Sequence, residues 1–137
     1  MKQCTVLFIN PDRRNLPYLM NLERNGFLVR DIHEWPDDET TRSAECVVVI
    51  LRDVGAAAMV AARLRAKPLF GRRILLGIVP AETSAQDCRA IAASGFDEIL
   101  VDPCNARILL ARLLRRLRER PEFRCLRPPR DRRHLAA

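Results

Sequence analysis

The run Cys46-Val47-Val48-Val49-Ile50-Leu51 is apolar at every position. A strand with one face in water alternates polar and apolar side chains. A run without alternation fits a strand covered on both faces, the central position of a parallel sheet. Four further short apolar segments lie outward from it, at residues 4–9, 27–32, 73–79 and 98–101. Helical signals fill the intervals. Residues 16–24 read as a helix with Asn15 as N-cap, Pro17 in the first turn and Asn25-Gly26 as the stop. Glu34-Trp35-Pro36-Asp37-Asp38 then breaks the pattern and leaves room for only a brief helix before Glu45. An alanine-rich helix over 55–66 closes at Pro68, and a helix over 85–94 is capped by Ser84 and stopped by Gly95. A long last helix over 106–120 follows the cap Asn105. Its Leu109, Leu110, Leu113 and Leu117 make one apolar stripe, with arginines on the opposite face.

Strand and helix alternating five times predict a parallel sheet with helices on both faces. At this size, with right-handed crossovers, the expected fold is α/β: a flavodoxin-like (βα)5 three-layer sandwich with sheet order 2-1-3-4-5. The 137 residues are the length of one domain. We assign residues 1–120 to it and read 121–137, with three prolines and little apolar content, as a basic extended or disordered tail or linker stub.

Composition narrows the function. With 48% hydrophobic and 30% charged residues the chain reads as an ordinary soluble protein. No apolar run approaches the roughly 18–20 residues that span a bilayer. No small-residue cleavage site follows the short apolar start, which argues against a signal peptide and for a cytoplasmic, membrane-free setting. The five cysteines include no C-x-x-C pair and read as reduced core thiols, so no metal site is expected. No G-x-G-x-x-G or P-loop calls for a nucleotide. Thr83-Ser84 looks like a helix cap, and the two histidines, His33 and His134, lie far from it, so a Ser/His/Asp site is unsupported. No catalytic residue and no cofactor are expected, and the chain reads as a non-enzyme. The net charge of +7 is concentrated at one end. Eleven arginines against Glu119, Glu122 and Asp131 put +8 on residues 107–137 and leave −1 on the rest.

Gly95-Phe96-Asp97-Glu98-Ile99-Leu100-Val101-Asp102-Pro103 resembles the closing string of a CheY-like response-regulator receiver domain, Gly-x-Asp-Asp-Tyr-Leu-x-Lys-Pro. The Leu-Leu-Ala-Arg core at residues 109–112 is similar to that family's last helix. Val6-Leu7-Phe8-Ile9 with Asn25-Gly26-Phe27 looks like its opening strand and glycine-led second strand. The resemblance covers about residues 4–120 and implies two-component signal transduction. The family's chemistry needs an acidic pair for Mg²⁺, an aspartate phosphoacceptor, a Ser/Thr and a lysine. Here those places fall on Asn10 and Pro11, on Ile50, on Ile78 (Gly77 and Val79 being its neighbours) and on Asp102. All five depart from the pattern. The implication is a pseudo-receiver that acts without phosphorylation, through protein–protein contact or dimerisation.

Two alternatives stay open. Asp12 and Asp53, just beyond the expected places, could gather with Asp102, and Asp53 could then accept a phosphoryl group. The basic last helix and tail, Arg124 to Arg133, could attract nucleic acid phosphates without reading sequence. The last helix is similar to that of transcription regulators, which would make the tail a linker. The resemblance also implies a dimer through the fourth helix, fifth strand and fifth helix. There Asp87, Asp97 and Glu98 would face Arg112, Arg115, Arg116 or Arg118 of a partner. Asp31-Ile32-His33-Glu34-Trp35 is similar to a cobalamin-binding box, but Pro36 replaces its glycine, and His33 is expected to be an ordinary loop histidine.

Overall fold

The computed structural model describes residues 2–66, 73–120 and 126–127. Five parallel strands make one sheet: β1 (Thr5–Ile9), β2 (Leu28–Ile32), β3 (Cys46–Ile50), β4 (Ile74–Val79) and β5 (Glu98–Val101). Their order is β2-β1-β3-β4-β5, the expected 2-1-3-4-5. The crossovers carry α1 (Tyr18–Arg24), α2 (Asp38–Arg42), α3 (Ala57–Arg65) and α4 (Ala85–Ala93), and α5 (Ala106–Arg118) follows the last strand.

Alternate side chains of a strand point to opposite faces, so each central strand feeds two apolar layers. Val6, Phe8, Val48, Ile50, Leu76, Ile78 and Leu100 pack with Tyr18, Leu22, Leu109 and Leu113 of α1 and α5. Leu7, Ile9, Val47, Val49, Leu75 and Val79 pack with Ala57, Ala61, Leu64 and Ile91 of α3 and α4. Every residue of β1, β3 and β4 is buried, which is why the β3 run shows no alternation.

The helix starts expose where local reasoning succeeds. Ser84 accepts from the Asp87 amide at 3.0 Å and Asn105 from the Arg107 amide at 2.7 Å, both in the expected cap role. The brief helix α2 is capped by Asp37, which accepts from the Thr40 amide at 2.7 Å. Asn15 is not a cap. Helix α1 starts two residues late, after Pro17, which makes no side-chain cap bond. The ring holds Pro17 at φ −66°, already helical, while buried Leu16 anchors the approach. Helix α3 likewise begins at Ala57, because Asp53 takes the Ala56 amide at 2.9 Å and spends the preceding residues on a turn. Gly95 closes α4 at φ +134°, a conformation L side chains rarely adopt.

Ahead of β1, Lys2–Gln3 pair in parallel with Leu126–Arg127. That ladder is the described part of the tail, and the remainder of 121–137 lies outside the described residues.

Candidate functional site at the carboxyl edge of the sheet

In open α/β sheets ligands bind at the carboxyl ends of the strands, and the five positions implied by the resemblance lie at or next to that edge. Asn10, immediately after β1, is fully buried. Its side chain closes the following loop on itself: Nδ2 donates to the Arg14 carbonyl at 2.9 Å and Oδ1 accepts from the Arg14 amide at 3.1 Å. His33 Nδ1 donates to the Asn10 carbonyl at 3.0 Å, so the histidine is a loop anchor. Inside that loop Arg13 takes a left-handed φ of +53°. Asn10 thus spends both ends of its amide on its own chain. Pro11, next in line, has no polar side chain to offer.

Ile50 and Ile78 face each other across β3 and β4, and both are buried, Ile50 at 3% and Ile78 at 1% exposure. They belong to the apolar layer under α1 and α5. The three acidic residues of the edge do not gather. Asp12 is gripped by Arg52, whose Nε donates at 2.9 Å and whose second nitrogen sits 2.6 Å from the other oxygen. Asp102 is paired with Arg14. Asp53 is exposed and accepts the Ala56 amide. Among the described residues no group of three or more His, Cys, Asp or Glu side chains is placed to hold a metal ion.

Two arginines therefore stitch the edge together, Arg52 joining β3 to β1 and Arg14 joining the β1 loop to the end of β5. The hydrogen bond that Arg14 donates to Asp102 raises the pKa of Arg14 above its ordinary value. Below this edge Tyr18 stacks on Phe8, ring centres 5.9 Å apart. Burial, its leading cause, pushes the phenol up to about 12. The half-buried Cys104 thiol is also raised by burial, with the charge of Asp102 adding to it. Sequence reasoning missed Arg14 and Arg52. Nothing in local spacing marks an arginine as the partner of a carboxylate 88 or 40 positions away.

The face of α4, β5 and α5 carries the other candidate residues. Glu98 is held by Arg112 at 2.8 Å and by Arg116, whose Nε donates at 2.6 Å. Asp97 accepts the Leu75 amide at 2.8 Å and pairs with Arg65 and Arg120, each at 3.1 Å. Arg116 and Arg65 also donate to the Asp97 and Gly95 carbonyls, at 2.7 and 2.9 Å. Glu98 thus meets Arg112 and Arg116, two of its expected partners, within one chain, whereas Asp97 is held by Arg65 and Arg120, which the sequence reading did not pair with it. Arg115 bonds Glu119, and Asp87 and Arg118 are exposed.

No family model matches the sequence, and no curated protein does. Solved structures do. A response regulator from Thermotoga maritima superposes with a TM-score of 0.70 at 18% identity, over 83% of this chain and 97% of that one. A CheY-like receiver domain protein from Methanospirillum hungatei gives 0.62 at 13% identity, over 88% and 98%. An orphan response regulator of H. pylori gives 0.60 at 18%, over 82% and 95%. Identities this low speak to architecture, and the chain has the CheY-like, flavodoxin-like receiver fold.

Proposed function

We propose that this chain is a receiver-type signalling module that works without phosphorylation and acts by binding protein. The observation that carries the reading is Ile50, an aliphatic side chain at 3% exposure at the place where the fold's chemistry calls for a phosphoacceptor. The edge around it supports the same view. Phosphoryl transfer needs free carboxylates for Mg²⁺ and a cation for the transferred group, whereas Asp12 and Asp102 are each engaged by an arginine. Asp53, the remaining acid, serves as a turn cap. On this reading the chain has no catalytic activity of its own. Among the described residues no helix is long and apolar enough to cross a membrane, and Cys4, Cys46, Cys88 and Cys104 are free thiols. Both fit the cytoplasm as its place of work.

The test is intact mass after incubation with acetyl phosphate and Mg²⁺, in which one phosphoryl group adds about 80 Da. The expected result is an unchanged mass at every time point. A gain that disappears in Asp53→Asn would return the chain to the phosphorylatable class.

A further inference from the structure

Charge on this chain is sorted by sheet edge. Between Asp31 and Arg42 the sequence holds five carboxylates against one arginine. Glu34, Asp37, Asp38 and Glu39 are all exposed, at the carboxyl end of the edge strand β2 and the first turn of α2. Between Ala106 and Arg120 it holds six arginines against Glu119. Arg116 and Arg120 turn inward onto Glu98 and Asp97. Arg107, Arg115 and Arg118 stay exposed, and Arg112 is 43% exposed although it touches Glu98. This helix is laced to β5, the opposite edge of the sheet from β2. The basic face has apolar surface beside it, Ile108 and Val101 (49% and 42% exposed), while at the acidic corner the part-buried Trp35 carries Arg63 over its ring at 4.2 Å.

We propose that the acidic β2–α2 corner of one copy docks on the basic α5 face of a second copy, head to tail. The occupant follows from charge complementarity: the carboxylates nearest α5 are already engaged within the chain, so two α5 faces brought together would oppose arginine to arginine. Joining unlike patches is heterologous, and it closes into a ring or propagates as a chain of copies. The net charge of +7 does not forbid it. At physiological ionic strength the screening length is about 8 Å, so the patches in contact decide, and more distant charge counts for little. Rim charges of this kind set register and encounter rate. The inference rests on the proposed function only in that the chain acts by binding protein; phosphorylation does not enter it.

Sedimentation velocity of the full chain over a concentration series tests it. At physiological ionic strength the mean mass should rise with concentration, and high salt should return it to monomer. Two variants then separate the faces, Glu34→Gln/Asp38→Asn/Glu39→Gln and Arg107→Gln/Arg115→Gln/Arg118→Gln. These side chains are exposed, and an unchanged circular dichroism melt checks the fold of each. Each variant alone should associate at least about tenfold more weakly. Mixed, they should form a one-to-one dimer that grows no further, because one intact corner meets one intact α5 face. A wild type that stays monomeric at every concentration overturns the proposal. So does a mixture that stays monomeric, or association that survives either variant. If the α5 variant instead loses only retention on duplex DNA, the basic face serves nucleic acid and the proposal also falls. The acetyl phosphate mass, read on the same samples, is unaffected by any of these outcomes.

Discussion

Ile50 sets the character of the carboxyl edge by what it contributes to the layer beneath. A fully buried isoleucine stabilises a fold by roughly 1.5–3 kcal/mol relative to exposure, and its layer contains Phe8, Leu76 and Ile78. Ile50→Asp should cost about 3–5 kcal/mol in urea unfolding, because the new carboxylate would be buried without a partner. It should still gain no mass from acetyl phosphate. Tyr18 provides a second residue-scale measurement, since it is the one tyrosine in the chain and its absorbance is unambiguous. Its folded pKa is raised from 10.0 to about 12. The neutral phenol is therefore the form the fold favours. Its contribution is complete below pH 10 and fades as pH rises from 10 towards 12. A tyrosinate titration should have its midpoint near 12 in the folded chain and near 10 in denaturant. At this scale the sequence was informative about identity and poor about partnership. That Asn10, Pro11, Ile50, Ile78 and Asp102 lie at or next to the carboxyl edge was legible by position. The roles of Arg14, Arg52 and His33 were not, because they depend on which loops the closed fold brings together.

Among the elements, α5 and β5 show the same division. The cap Asn105 and the leucine stripe are local facts with a helical period, and both were readable in advance. Asn105→Ala should lower stability by about 1 kcal/mol, seen as a shift in the urea midpoint with unchanged slope. The grip of Arg112 and Arg116 on Glu98 is a tertiary fact, whereas the family resemblance had implied a partner molecule for those side chains. Glu98→Gln tests the internal assignment. The carboxylate side chain is 10% exposed but Arg112 is 43% exposed, so solvent screening trims the effect to about 1–2 kcal/mol. The difference between the two proteins should shrink in high salt as the wild-type pair is screened. Helix α1 teaches the opposite lesson. Asn15 has the chemistry of a cap, but Pro17 already has helical geometry and fixes the start by itself.

At the scale of the whole molecule the sheet order was legible because alternation, length and handedness leave few topologies. The placement of the acidic corner and the basic helix at opposite edges follows from that order once the strands are known. On the proposed function, an edge whose Asp12 and Asp102 are held by Arg52 and Arg14 gains little from Mg²⁺. A ligand present at a hundred times its Kd would stabilise the fold by about 2.7 kcal/mol. Millimolar Mg²⁺ should instead leave the thermal midpoint unchanged and the strand-end NMR signals unmoved. The burial of Ile50 also bears on ancestry and design. Restoring an aspartate there first would unsettle the fold before any cation site existed to reward it. Restoring the metal-binding acids first would leave Arg14 and Arg52 still gripping the edge. On the proposed function, loss of the phosphoacceptor works as a ratchet: the way back requires several substitutions at once, and selection acting on one change at a time has no downhill path to follow.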